Sequence, residues 1–346
     1  MRHTIRVLCI LLVLLTLAGC AAPVQQVAEP AVQEAPAVEE APAVEEEPAE
    51  EAAYTNEVVM AAVTLEEETV AMAEAPAAVA TTLTVEASGT LTKKNGEAVI
   101  DYSNTADGYV MMQYTASTSM RLKARVKGPT TTYTYNLTPG KWEVFPLSDG
   151  NGSYQFTVYR NVSGNKYASV LTTSATVTLT DEFGPFLRPN QYVDYSCAPN
   201  TVAKAAELTK DMTDPLVKVA AVYDYVVDSL SYDYDKAATV KSGYLPVLDT
   251  VLAENKGICF DYASLMAGML RSQGVPCKLV VGYTGGAYHA WISVWTEKSG
   301  WVDGAIFFNG TAWKRLDPTF ASSSKRSASI MEYINNDSNY STKYIY

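Results

Sequence analysis

The side chains best suited to covalent chemistry in this sequence are a cysteine and a histidine. The chain holds two histidines, His3 and His289. Cys259 stands in residues 257–263 (Gly-Ile-Cys-Phe-Asp-Tyr-Ala), directly before apolar residues at helical spacing, so we predict it at the first turn of a helix. Partial positive charge at a helix start stabilises a thiolate, and the amides there can donate to an oxyanion. A thiolate beside an imidazole is a nucleophile for acyl transfer.

A third, acidic residue would complete such a site. His289 lies in residues 288–295, whose alternating pattern predicts a strand. Asp317 ends another predicted strand and is placed to accept a hydrogen bond from His289 and fix its tautomer. Asp303 is the competing candidate. Asp261 is too near Cys259 to be the obvious orienting acid, and we interpret it as a favourable charge at a helix start.

Aromatic side chains surround these residues in the sequence. Tyr288 and Trp291 flank His289, and we predict both as substrate contacts. Tyr232, Tyr234 and Tyr283 are interpreted as core or rim packing.

Ordered blocks of this sequence resemble the bacterial transglutaminase-like family. They are residues 223–225, 232–234, 257–263, 274–283, 289–291 and 317–319. The resemblance spans about 215–320, under a third of the chain. It implies an α+β, papain-like core without a cofactor, in which Cys259 is the nucleophile, His289 the general base and acid, and Asp317 the orienting acid. Residues 305–311 depart from the family pattern as a hairpin-like insertion, which keeps Asp303 open as the alternative to Asp317.

The elements that must position these residues are predicted within residues 184–346. Residues 200–212 and 247–255 read as helices. Pro215 fits the first turn of another helix, with Asp214 as its cap. Gly274 is placed to end the helix that follows Cys259. The last residues, 343–346, suit an edge strand.

Residues 81–183 have the composition of an antiparallel β-sandwich. β-rich stretches separated by turn signals predict about seven strands: 82–87, 98–102, 109–114, 121–126, 131–135, 153–160 and 166–179. This part has no histidine, cysteine or carboxylate cluster. We interpret it as a spacer or packing domain, with carbohydrate or partner binding as the alternative.

The first twenty residues read as a lipoprotein signal peptide. Arg2 and Arg6 precede an apolar run over 7–17 that is too short to span a bilayer comfortably. Residues 17–20 (Leu-Ala-Gly-Cys) resemble a lipobox, which implies a lipid anchor at Cys20. The alternative is an ordinary signal peptide with an incidental cysteine.

The charge of the chain is concentrated in the segment that follows. Residues 21–80 are rich in Ala, Pro and Glu and hold fourteen Glu but no Lys or Arg. They are predicted to be a disordered tether. Acidic and basic residues balance over 81–346, although the formal net charge of the whole chain is −12. Residues 81–346 contain no basic stripe, so the sequence does not indicate a nucleic-acid partner.

The five cysteines also bear on compartment and cofactors. With Cys20 lipidated, three thiols remain in the exported chain, so at least one is free. The sequence leaves a Cys197–Cys277 disulfide as one possibility. Without it, we interpret Cys277 as a buried core residue. Neither the cysteine spacing nor the single remaining histidine suits a metal site, so a zinc site is not expected; the absence of any other cofactor is what the family resemblance implies.

Together these patterns predict an α+β protein: a papain-like transglutaminase core preceded by a sandwich and a tether. The function expected is an extracytoplasmic, membrane-anchored cysteine protease or amidase acting on proteins, peptides or cell-wall peptides, with hydrolysis favoured over cross-linking. The alternative is a catalytically silent module that binds peptide or glycan at the cell surface.

Overall fold

The structure is a computed structural model that describes residues 82–297, 300–302, 307–308, 313–314, 319, 322 and 337–346. The predicted signal peptide, Cys20 and the tether lie outside the described residues, as do Asp303 and Asp317. No helix within these ranges combines the length and apolar character needed to cross a membrane.

The N-terminal part is an antiparallel sandwich of eight strands in its described residues. The strands are β1 (Thr92–Lys94), β2 (Ala98–Asp101), β3 (Tyr109–Tyr114), β4 (Leu122–Lys127), β5 (Thr132–Leu137), β6 (Glu143–Pro146), β7 (Gly152–Ser163) and β8 (Lys166–Val177). They form two sheets, ordered β1-β2-β3-β6 and β5-β4-β7-β8. Strand β5 shows why they form: Tyr133, Tyr135 and Leu137 are buried while the residues between them are exposed. That alternation gives one face to the core.

Most predicted strands of the sandwich are confirmed, and two differences have a physical cause. Residues 82–87 are not a strand, because their β-rich composition finds no strand partner among the described residues. Strands β1 and β6 went unpredicted, since β1 is a fully exposed polar edge and β6 is only four residues long.

A helical segment follows. Its elements are α1 (Gly184–Leu187), α2 (Pro199–Leu208), α3 (Pro215–Ser229), β9 (Ser231–Tyr232), α4 (Tyr234–Thr239), α5 (Leu248–Glu254), β10 (Lys256–Gly257) and α6 (Cys259–Ser272). Helix α3 begins as predicted, with the Asp214 carboxylate accepting from Leu216 N at 2.8 Å. Helix α4 was not predicted from the sequence.

A second antiparallel sheet closes the chain. It contains β11 (Cys277–Thr284), β12 (Ala287–Thr296), β13 (Gly300–Val302) and, after the hairpin of β14 (Phe307–Phe308) and β15 (Trp313–Lys314), the strand β16 (Tyr340–Ile345). Its order is β13-β12-β11-β16, so the C-terminal residues form the predicted edge strand. Gly282 allows β16 to approach, because a Cβ there would lie 2.0 Å from Ser341 O.

Helix α6 is the centre of this part. Every residue from Asp261 to Ser272 is buried, which is the signature of a core helix rather than an amphipathic surface helix. It packs against α2, α3, α5, β11 and β12. The fold is α+β, as expected. Buried side chains of the sandwich and of the α6 region form one continuous apolar cluster, and the predicted boundary at 183/184 stays a prediction.

Candidate active site

Cys259 is the first residue of α6 and is half-buried against the core. A short parallel strand pairing positions the residues just before Cys259: Gly257 in β10 pairs with Tyr232 in β9. Asp233 N also donates to Gly257 O at 2.9 Å. The thiol therefore lies at the start of a buried helix, where the first N–H groups lack partners within the helix and carry partial positive charge.

A buried carboxylate holds this helix start in place. The Asp261 side chain has no exposed surface. Its Oδ2 accepts from Ile258 N at 2.9 Å and from Lys236 Nζ at 2.8 Å, and its Oδ1 accepts from Tyr244 Oη at 2.6 Å. Gly257 must be small here, since a Cβ would lie 2.6 Å from Asp261 Cβ. The residues directly before Cys259 are thus held by one acid.

The pKa values of Tyr244 and Lys236 are both raised, which keeps these two hydrogen-bond donors of Asp261 protonated. Burial and the hydrogen bond to Asp261 raise the pKa of Tyr244 to about 12. Burial lowers the pKa of Lys236, but its hydrogen bonds to Asp261 and Tyr244 outweigh that effect, so the net pKa is raised. At neutral pH the tyrosine stays a donor and the lysine stays a cation.

Two tyrosines lie close to the Cys259 thiol. Burial and, next, the charge of a Cys259 thiolate raise the pKa of Tyr232. Burial raises the pKa of Tyr288 as well, with contributions from Tyr344, Tyr283 and Cys259. Each packs edge-on against another tyrosine: Tyr232 against Tyr234 with ring centroids 5.0 Å apart, and Tyr283 against Tyr288 at 5.5 Å. The charge of Cys259 thus reaches one member of each aromatic pair.

His289 lies in β12, opposite Gly282 of β11, and is 7% exposed. Its ring stacks with Trp291 at 6.2 Å between centroids. Because side chains alternate along a strand, His289 and Trp291 share one face while Tyr288 lies on the other. Strand β12 packs directly on α6, so the cysteine and the histidine belong to adjacent elements.

The predicted site residues have these positions in the structure. Cys259 and His289 are in contacting elements, and their pairing stays a prediction, as does the orienting role of Asp317, which lies outside the described residues. Tyr288 is 47% exposed and offers surface to a substrate. Trp291 is 3% exposed and packs on Tyr340 at 5.2 Å, which leaves it little surface for that role.

Sequence reasoning missed the extent of the network around Asp261. The sequence indicated Asp261 as a favourable charge at a helix start, whereas its buried carboxylate accepts hydrogen bonds from three donors. An acid three residues after the N-cap is the second half of a capping box, and that spacing was a usable signal. Nothing in the sequence pattern indicated Lys236 or Tyr244, which reach the acid from α4 and the loop after it.

The cysteines that the structure describes are all free, so the Cys197–Cys277 disulfide left open by the sequence is not formed. Cys277 is buried, as predicted, while Cys197 is exposed. Burial raises the pKa of the Cys277 thiol to about 12, and the nearby Arg271 lowers it only partly. The described residues hold no cluster of His, Cys, Asp or Glu with the makings of a metal site.

Residues 202–304 match the family model of the transglutaminase-like superfamily. The chain carries a transglutaminase-like domain. The matched range contains Cys259 and His289, and Asp317 lies beyond it.

Curated relatives match part of this chain. "Uncharacterized protein YebA" of Bacillus subtilis is 32% identical over 118 residues, covering 28% of this chain and 16% of that protein. A "Protein-glutamine gamma-glutamyltransferase" of Pseudomonas aeruginosa is 30% identical over 119 residues, covering 30% of this chain and 17% of that protein. The alignments thus span about a sixth of the length of these relatives.

Solved structures resemble the chain more distantly. The periplasmic domain of TgpA from Pseudomonas aeruginosa aligns with a TM-score of 0.32 at 17% identity, covering 70% of this chain and 100% of that one. A candidate cysteine protease from Cytophaga hutchinsonii aligns with a TM-score of 0.32 at 18% identity, covering 61% of this chain and 78% of that one.

Proposed function

We propose that the transglutaminase-like domain is a cysteine hydrolase or acyltransferase that acts on amide bonds of proteins, peptides or cell-wall peptides. The observation that carries the proposal is the position of Cys259: a half-buried thiol at the start of a buried helix that packs on the strand of His289. The triad is Cys259, His289 and Asp317.

The reaction follows from these roles. His289 takes the Cys259 proton, and the thiolate attacks the amide carbonyl carbon. Backbone N–H groups at the start of α6 stabilise the oxyanion. Collapse breaks the carbon–nitrogen bond, His289 protonates the leaving amine, and a thioester remains on Cys259. Asp317 orients the imidazole throughout.

Water or an amine then resolves the thioester. We favour water, because it is abundant and amine transfer requires a site that excludes it. The name of the Pseudomonas aeruginosa relative supports amine transfer as the competing outcome. The exposed Tyr288 is the residue we assign to the substrate first, and Trp291 supports His289 from the same face.

Thiol labelling tests the nucleophile. The full chain is treated with iodoacetamide near neutral pH and the labelled cysteines are mapped for the wild type and for His289→Ala. Cys259 should label fastest in the wild type and slow markedly in the variant. Ser293→Ala is the matched control, because Ser293 is buried on the same strand face and has no place in the reaction. Equal, slow labelling of all thiols would leave a silent peptide- or glycan-binding module.

A second assay separates hydrolysis from transfer. The protein is incubated with a glutamine-containing protein and a fluorescent primary amine. We expect cleavage or deamidation that depends on Cys259, with little amine incorporation. Efficient incorporation would instead make the protein a transglutaminase.

The proposed location rests on the leader sequence. A lipid on Cys20 would hold the domain outside the cytoplasmic membrane, with residues 21–80 as the tether. Metabolic labelling with an alkyne fatty acid should mark the wild type and not Cys20→Ser, and only the wild type should stay with the membrane fraction.

A further inference from the structure

Strand β5 of the sandwich contacts the residues that hold the start of α6. The sandwich was interpreted above as a spacer or packing domain. We propose instead that β5 positions the nucleophile, so that the sandwich and the transglutaminase-like domain form one catalytic unit. This inference rests on the proposed function of Cys259. Two contact routes carry it, one through aromatic rings and one through Asn136.

The aromatic route runs from β5 to the residue after the nucleophile. Tyr135 of β5 packs on Tyr192 with ring centroids 5.5 Å apart. Tyr192 packs edge-on against Phe260 at 5.4 Å, and Phe260 directly follows Cys259. Tyr346 fixes Tyr192 from another side at 4.5 Å and also packs on Tyr135 at 5.8 Å. Two ring contacts therefore join the sandwich to the helix start.

The second route runs from Asn136 to Asp261. A Cβ on Gly243 would lie 2.1 Å from Asn136 Nδ2, so the sandwich strand lies directly against this residue. The next residue, Tyr244, donates to Asp261 at 2.6 Å. Asp261 in turn accepts from Ile258 N, just before Cys259. Gln191 Nε2 also donates to Asn136 O at 2.8 Å, which fixes the same strand to the segment carrying Tyr192.

These routes reach both sides of Cys259, through Phe260 after it and Ile258 before it. Close-packed rings transmit a displacement rather than absorb it. A shift of the nucleophile of about 1 Å can cost up to about a hundredfold in rate. The contacts on β5 are therefore in a position to set the reactivity of Cys259 without touching a substrate.

Tyr135 offers a clean probe of this role. It is buried, and its hydroxyl has no hydrogen-bond partner within the described part of the chain. The ring is thus the part that matters for packing. Tyr135→Leu removes the ring contact to Tyr192, while Tyr135→Phe keeps it. Leu171→Ala is a third variant: it opens a cavity in the same core, but in β8 at the opposite edge of the sheet from β5.

The experiment measures iodoacetamide alkylation of Cys259 in the full chain, near neutral pH and at about pH 10, where an ordinary thiol is already ionised. Thermal unfolding of each variant is recorded in parallel. We expect Tyr135→Leu to slow alkylation near neutral pH by about tenfold and to slow it much less at the higher pH. Tyr135→Phe and Leu171→Ala should both stay within about twofold of the wild type, although Leu171→Ala lowers the melting temperature.

Distinct results overturn the two proposals. A wild-type Cys259 that reacts no faster than the exposed Cys197 overturns the proposed function, and this inference with it. A reactive wild type with an equally reactive Tyr135→Leu overturns the inference alone. So does a loss of reactivity in Leu171→Ala that matches Tyr135→Leu at equal loss of melting temperature, because the effect would then be general destabilisation.

Discussion

Each end of helix α6 buries a charged side chain, but the two charges have different kinds of hydrogen-bond partner. At the start, Asp261 is surrounded by a cation, a phenol and a backbone amide. At the end, Arg271 is 2% exposed and, within the described residues, donates to main-chain oxygens: Cys277 O at 2.8 Å, Arg188 O at 2.9 Å and Tyr346 O at 2.7 Å. Both charges have the sign that the helix dipole favours.

The difference lies in what each charge joins. Asp261 binds groups from the single stretch 236–258, up to 25 positions before it, and it fixes the backbone beside a half-buried thiol. Arg271 joins three segments that are far apart: the linker after the sandwich, the start of β11 and the C-terminal strand. The start of the helix thus supports a reactive group, and its end holds together three segments of the fold. The following substitutions test that distinction, beginning with the largest expected effect.

Removing Arg271 should mainly affect stability. Arg271→Met removes three hydrogen bonds from a buried guanidinium, although Tyr346 O still accepts from Leu279 N at 2.9 Å, so we expect the free energy of unfolding to fall by about 3–5 kcal/mol. Urea unfolding followed by circular dichroism measures this. Lys204→Met is the control, because its ion pair with Glu207 is exposed and its loss should change stability little. If molecules that remain folded also lose Cys259 alkylation, the end of the helix is not merely structural.

Neutralising Asp261 should affect both stability and reactivity. In Asp261→Asn an amide NH₂ would face the donors of Ile258 and Lys236, so unfolding should become easier by about 2–3 kcal/mol. Alkylation of Cys259 should slow as well, because the backbone beside it loses its anchor.

Asp249→Asn is the matched control for this change. Asp249 also accepts several hydrogen bonds at a helix start, from Asn200 and Thr201, but it lies outside the network beside Cys259. It should lower stability and leave alkylation unchanged. Equal effects of the two variants on alkylation would erase the distinction between the helix ends.

The buried thiol of Cys277, which lies beside Arg271, should make the free energy of unfolding depend on pH in the alkaline range. Burial raises its pKa from the model-compound value of 9.0 to about 12. The folded state therefore holds this proton more tightly than the unfolded state. The resulting stability is fully present below about pH 9 and is lost as the pH rises towards about 12.

Cys277→Ala removes that contribution. Its free energy of unfolding should decline less steeply than that of the wild type between those pH values, in unfolding curves measured across the range. Other groups contribute equally to both proteins, so the difference between them isolates the thiol. Parallel curves would mean that Cys277 is not held as a buried neutral thiol.

The smallest effect is expected at Cys197, which is exposed and free. Cys197→Ser should change the free energy of unfolding by less than about 0.5 kcal/mol. In the native wild type, mass spectrometry should find iodoacetamide on Cys197 and Cys259 and none on Cys277. Labelling of Cys277 before unfolding would show that the C-terminal end of α6 opens in the native state.

Local patterns were sufficient for much of the fold. The apolar spacing after Cys259 predicted α6, Pro215 with Asp214 predicted the start of α3, and alternation predicted the strand β12. These features depend on residues within a few positions of one another. Two short elements were missed, because the exposed edge strand β1 and the helix α4 carry weak local signals.

The sequence by itself determined which residues are candidates for chemistry, because residue type and the start of a helix are local properties. It identified Cys259 and His289, and it gave the resemblance that the family match over residues 202–304 bears out. The tertiary structure alone decided that Asp261 is a buried anchor, that Arg271 ties together distant segments, and that β5 of the sandwich packs against the residues holding Cys259. Burial and hydrogen bonding join groups far apart in the chain, and a pattern read over a few residues carries no information about such partners.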